Sequence, residues 1–130
     1  MNLKLPRRTF LHLAAGAVVL PAASRMARAQ TYPSRPVRIV VAFPPGGAND
    51  IHARLIGQWL HERLGQPCLV ENRPGSGGNL GVEAVVRSPA DGYTLLILTV
   101  AHSINKSVYE KLSYDLLRDI APVAALFRAQ

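Results

Sequence analysis

Cysteine is almost absent: Cys68 is the only one in 130 residues. A lone thiol excludes a disulfide framework and any zinc site built on paired cysteines. Its setting, Cys68-Leu69-Val70-Glu71, reads as a small core residue in a strand. Aromatic side chains are scarce, at 6%. Acidic residues are missing from residues 1–29, which hold five of the 15 Lys and Arg, so the remainder carries 10 basic against 8 acidic groups. The formal +7 therefore belongs mainly to the amino terminus. With no basic run and no interleaved aromatics beyond it, no nucleic-acid partner is expected.

Several chemistries fail on spacing. No Gly-Lys-Ser/Thr triplet exists, which excludes a P-loop. A dinucleotide fingerprint started at Gly75 meets Leu80 where its third glycine belongs. Ser76 lacks the first glycine of a nucleophile elbow. His61-Glu62 opens a zinc-protease pattern that finds Gly65 at the second histidine place. No nucleophile with its base and no carboxylate pair assembles, so neither an enzyme, a metal nor a cofactor is expected. Cys68, His52 and His61 read as structural or solvated side chains.

Long hydrophobic runs are missing too. The longest apolar stretch, Phe10 to Leu20, is too short to span a bilayer. Preceded by Lys4, Arg7 and Arg8, and followed by Ala27-Arg28-Ala29, it has the three parts of an export signal. The expectation is a signal peptide over 1–29, cleaved near Ala29, and a periplasmic product. Arg7-Arg8-Thr9-Phe10-Leu11 resembles the twin-arginine address, while Pro6 and His12 depart from its usual flanks, which leaves both export routes open.

What the chain does have is a repeated local order. Val37 to Phe43 is short, β-branched and apolar, as a strand buried on both faces should be. Pro44-Pro45-Gly46-Gly47-Ala48-Asn49-Asp50 then turns into a helix from about Asp50 to Leu64, closed by Gly65 and Pro67. Ile51, Leu55, Ile56, Trp59, Leu60 and Leu64 share one broad arc, expected to face the core. A second strand over Cys68–Glu71 opens into a second glycine loop, Asn72 to Asn79, and a helix near Leu80 to Arg87. Thr94 to Val100 reads as a third strand, and Ala101 to Asn105 as a third loop before a helical turn near Ser107 to Leu112. Ala121 to Phe127 is a candidate fourth strand.

Strands alternating with helices at this spacing imply α/β architecture with a parallel sheet. All three loops then fall at the carboxyl ends of strands, where open α/β sheets bind ligands. Gly46 and Gly47 allow close backbone approach, and Asn49 or Asp50 can cap a helix whose free N–H groups favour an anion.

These residues resemble a known family. Tyr32 to Val41, Phe43 to Asp50, Leu64 to Pro67, Val70 to Gly81, Ala90 to Leu95, His102 to Asn105, Tyr114-Asp115 and Ala121 to Val123 occur in the order found in substrate-binding proteins of tripartite tricarboxylate transporters, the Bug or TctC type. The resemblance implies a type 2 periplasmic-binding-protein-like fold whose two lobes close on a small organic carboxylate, and membrane transporter components as partners. It implies ligand contacts at Gly46, Gly47, Ala48, Asn49 and Asp50, at Gly77, Gly78 and Asn79, and at a third loop with Thr99, Ala101, His102, Ser103 and Asn105. Lys106 departs from the family, which usually has proline there. Family members are also well over twice as long. Residues 30–130 are therefore expected to be the amino-terminal part of lobe 1, with the second lobe absent. The competing readings are an inert remnant of such a protein, and an exported α/β enzyme using Ser76 or His102.

Overall fold

The computed structural model describes residues 31–126. The leader expected over 1–29 lies outside the described residues. The centre is β1, Val37–Val41, whose Ile39, Val40 and Val41 are at most 1% exposed. Parallel neighbours flank it on both sides, β2 (Cys68–Asn72) and β3 (Thr94–Ile97), in the order β2-β1-β3. Ile39 sits opposite Val70 on one side and Leu95 on the other. A β-branched strand hydrogen-bonded on two sides and covered on both faces is the expected centre of such a sheet.

Helix α1 (Ala48–Leu64) connects β1 to β2, and a 3-10 turn (Ser76–Gly78) with helix α2 (Asn79–Val86) leads on to β3. Helix α3 (Val100–Val108) and the short α4 (Leu116–Asp119) follow. Because side chains alternate along a strand, Ile39 and Val41 meet Ala53 of α1 on one face. Ala42, of the opposite parity, meets Gly81 of α2 on the other. The parallel sheet with flanking helices is thus the architecture the sequence implied.

Three details differ from expectation. In α1 the buried positions are Asp50, Ala53 and Gly57, while Ile51, Leu55 and Trp59 are at least 52% exposed. The helix lies so close to the sheet that a Cβ on Gly57 would stand 3.4 Å from Cys68 Cβ, and only small residues fit at that contact. Periodicity located an apolar arc, but the sheet selected the narrow side of the helix.

The expected third loop is helical, since α3 starts at Val100 and β3 ends at Ile97. Thr99 and His102 form a reciprocal capping box that begins the helix early. Finally, residues 121–126 form no strand and are exposed. Pro122 cannot donate to a ladder, which weighs against pairing there.

Candidate functional site

The carboxyl edge of the sheet carries three turns. The first contains Gly46, at φ 83, whose N–H donates to Asp50 Oδ2 at 2.9 Å. Asp50 is 3% exposed and already engaged: Arg54 Nε donates to Oδ2 at 3.0 Å, and Asn72 Nδ2 donates to Oδ1 at 3.0 Å. The Arg54 guanidinium first, then the Gly46 N–H and Asn72, hold this carboxyl down at about 2. Asp50 is therefore the loop's own permanent anion. Gly47 caps α1 without a side-chain bond, and the N–H groups of Gly47, Ala48 and Asn49 have no acceptor among the described residues. Gly47 and Ala48 are exposed and Asn49 is half-buried. Such first-turn donors at the positive end of a helix can hold an anion.

The second turn runs Gly75-Ser76-Gly77-Gly78. Ser76, at φ 49, is the one described non-glycine residue in the left-handed region, a conformation that costs free energy. Gly77 is exposed while Gly78 is buried. Asn79, 4% exposed, faces inward: its Oδ1 accepts from Asn105 Nδ2 at 2.6 Å and from Tyr114 Oη at 2.7 Å. Asn105 Nδ2 also donates to the Gly77 carbonyl at 3.0 Å. This buried network fastens α3 to the second turn.

At the third turn, Thr99 N–H donates to His102 Nδ1 at 3.0 Å, and the ring meets Phe43 edge-on at 5.4 Å between centroids. His102 is fully buried, and burial lowers its basicity below the usual imidazole range. Ala101 is half-buried and Ser103 is exposed. Val100 and Ala101 contribute two more first-turn N–H groups to this edge. Arg73, beside the edge, is paired to Glu71 at 2.5 Å. No group of three or more potential metal ligands occurs among the described residues.

A groove of about 560 Å³ lies elsewhere, between α1 and β2, lined by residues including Arg54, His61 and Leu69. None of the glycine-loop residues lines it. The loop edge is an open wall.

Comparison with known proteins places the fold. The model of the tripartite tricarboxylate transporter family receptor, TctC, matches residues 52–130. The chain belongs to that family. Protein BugT of Bordetella pertussis is 43% identical over 98 residues, covering 74% of this chain and 30% of BugT. A solved R. palustris protein with adipate is 44% identical, with a TM-score of 0.62, covering 65% of this chain and 28% of that one. MatC from Rhodopseudomonas palustris with bound malate is 38% identical, with a TM-score of 0.61, covering 64% and 29% respectively. This TctC-family chain thus spans under a third of the length of these relatives.

Within the TctC-family chain the expected site residues divide into two sets. Gly46, Gly47, Ala48, Asn49, Gly77, Ala101 and Ser103 are on or near the surface of the edge. Asp50, Gly78, Asn79, His102 and Asn105 are buried beneath it, with Thr99 half-buried above His102. Tyr114 belongs to the second set and had no local signal, because its role depends on a contact 35 residues away in sequence.

Proposed function

We propose that this chain forms the anion-holding edge of an exported solute-binding protein that captures a small carboxylate for a tripartite tricarboxylate-type transporter. The observation that carries the reading is the set of unpaired first-turn N–H groups at Gly47, Ala48 and Asn49, joined on one sheet edge to the second and third turns. Relatives solved with adipate and malate support a dicarboxylate as the ligand class. Gly47, Ala48, Asn49, Gly77, Ala101 and Ser103 are the contacts in this reading. Asp50, Asn79 and Asn105 instead hold the turns in place.

Asp50 also narrows the chemistry. Its carboxylate occupies the Gly46 N–H and is neutralised by Arg54, so the ligand competes for the remaining donors only. Catalysis is not part of the reading. His102 Nδ1 is committed to Thr99, which leaves the ring unable to activate Ser76 as a base through that nitrogen. The basic and apolar leader, cleaved near Ala29, would deliver the product to the periplasm, where the transporter's membrane components would meet it.

Calorimetric titration with adipate, malate and an uncharged diamide of the same length tests the proposal. The acids should bind and the diamide should not. Equal heats from the diamide, or silence from every acid in both this chain and a full-length relative such as BugT, would sink it.

A further inference from the structure

His102 matches a ligand-contact position, yet its surroundings give it different work, whose link to anion capture rests on the proposed binding role of this edge. Its side chain is fully buried. Thr99 N–H, which can only donate, lies 3.0 Å from Nδ1, so Nδ1 must be the unprotonated nitrogen. The neutral ring therefore carries its proton on Nε2. Among the described residues that atom has no hydrogen-bond partner, and it faces Gly78, where a Cβ would stand 2.8 Å away. One imidazole thus closes the first turn of α3 and fills the space under the turn into α2. One helical turn further on, Asn105 binds the Gly77 carbonyl and Asn79.

We propose that His102 is a positioning residue and a proton-operated release: neutral, it locks the start of α3 beneath the second glycine turn, and protonated it frees both, so that anion capture weakens on acidification. An imidazolium has N–H on both nitrogens. Its Nδ1–H would oppose the Thr99 N–H, donor against donor, with Thr99 Oγ1 at 3.1 Å the one acceptor in reach, and its Nε2–H would still lack an acceptor among the described residues. No buried charge compensates. Phe43, Gly78 and Thr99, which stand beside the ring, are not ionisable. The charged groups on the surrounding elements are paired among themselves: Asp50 with Arg54, Glu71 with Arg73, Glu83 with Arg87, and Lys106 with Asp115. None of them is among the influences on the ring: burial, the larger, lowers its basicity, and the Thr99 backbone works the other way.

The sign follows from linkage. An unfolded or released His102 takes up a proton near its ordinary 6.5, while the buried ring resists it. The locked edge is therefore at full strength above about pH 6.5 and is lost progressively below it. Asp50, held at about 2, stays ionised throughout that window and does not mimic the effect.

The test is NMR of the full chain with labelled histidine, which needs no ligand. At about pH 7.5 the His102 ring should show the Nε2–H tautomer. As the pH falls below about 6.5, the Thr99 and Gly78 amide signals should shift together with the ring. The variant His102→Asn keeps an acceptor for the Thr99 N–H but cannot titrate, so its Thr99 and Gly78 signals should hold still. A second arm uses ethane-1,2-disulfonate, whose charge is constant over this range. Each pH unit below the ring's titration point should weaken its binding to the wild-type chain by up to about tenfold, and not to His102→Asn. An Nδ1–H tautomer, ring titration without movement at Thr99 and Gly78, or the same pH response in His102→Asn overturns the proposal. If His102→Asn fails to fold, the wild-type tautomer and co-titration decide alone. Absence of disulfonate binding at every pH, with co-titration intact, overturns the anion reading and leaves the release standing.

Discussion

Gly81→Ala in α2 should destabilise the chain, although the same change in an exposed helix would stabilise it. Glycine costs a helix interior about 1 kcal/mol relative to alanine, through backbone entropy. At Gly81, however, an added Cβ would stand 2.6 Å from Ala42 Cβ, 2.8 Å from Ala42 Cα and 3.2 Å from the Arg73 carbonyl. Two of these are backbone atoms, and Ala42 follows the central strand and is 1% exposed. Relief requires α2 to lift from the sheet, at the upper end of overpacking costs, about 3 kcal/mol. The net is a loss of about 2 kcal/mol, a roughly thirtyfold fall in the folded-to-unfolded ratio.

Gly57→Ala in α1 is the internal control. There the new Cβ meets Cys68 Cβ at 3.4 Å and Ile39 Cδ1 at 3.5 Å, ordinary contact distances. It should gain about 0.5–1 kcal/mol. Urea denaturation followed by far-ultraviolet circular dichroism measures both variants in the full chain. Gly81→Ala matching the wild type, or Gly57→Ala losing as much as Gly81→Ala, would refute the close-approach reasoning.

Tyr114→Phe removes one of the two donors to Asn79 Oδ1 and should cost about 1 kcal/mol in the same urea assay, with faster amide exchange at Gly77 and Gly78. Trp59→Ala should cost only about 1 kcal/mol, well below a core tryptophan, since Trp59 is 52% exposed and the Arg63 guanidinium lies over its ring at 4.4 Å. Asp50 titrates at about 2 when folded, against an ordinary value of 3.8. The unfolded chain therefore binds more protons in that interval, and stability should fall as pH drops from about 4 toward 2. Asp50→Asn should flatten part of that slope in acid-dependent urea midpoints; Asp119, also held at about 2 by Arg118, supplies some of the rest.

Elements were legible in the sequence where composition acts locally. Val37–Val41 announced a doubly buried strand by its β-branched run, and Gly65 announced the end of α1, where its φ is 70 and its N–H bonds the His61 carbonyl. Orientation was not legible, because it is set by a partner. Ile51, Leu55 and Trp59 form a fine apolar stripe, yet the sheet approaches through Ala53 and Gly57, where bulk is least. The start of α3 was legible in principle. Thr99 and His102 stand three apart, the spacing of a capping box, with imidazole in place of the usual carboxylate. The glycines marked the edge as a candidate site, while the division between surface donors and buried struts was not visible. That division depends on contacts such as Asn105 to Asn79 and Asn72 to Asp50, 26 and 22 residues apart.

The placement of Asp50 then decides what kind of binding the edge can support. A carboxylate inside the first turn of α1, paired with Arg54, uses up the loop's charged donor and one of its N–H groups. What faces outward is a set of neutral backbone donors at Gly47, Ala48 and Asn49, with Val100 and Ala101 across the edge. Each such hydrogen bond, exchanged against water on an exposed surface, contributes about 0.5–1.5 kcal/mol net. Three or four of them amount to about 4 kcal/mol, which corresponds to a dissociation constant of about 1 mM. In the titration with adipate and malate, this chain should therefore bind in the millimolar range. Tighter capture requires water to be removed from the same donors by a covering wall, because a drier site strengthens every bond already present. In the proposed function the glycine edge would supply recognition of the carboxylate group. Affinity, and the choice among carboxylates, would then be set by a wall closing over Gly47 and Gly77.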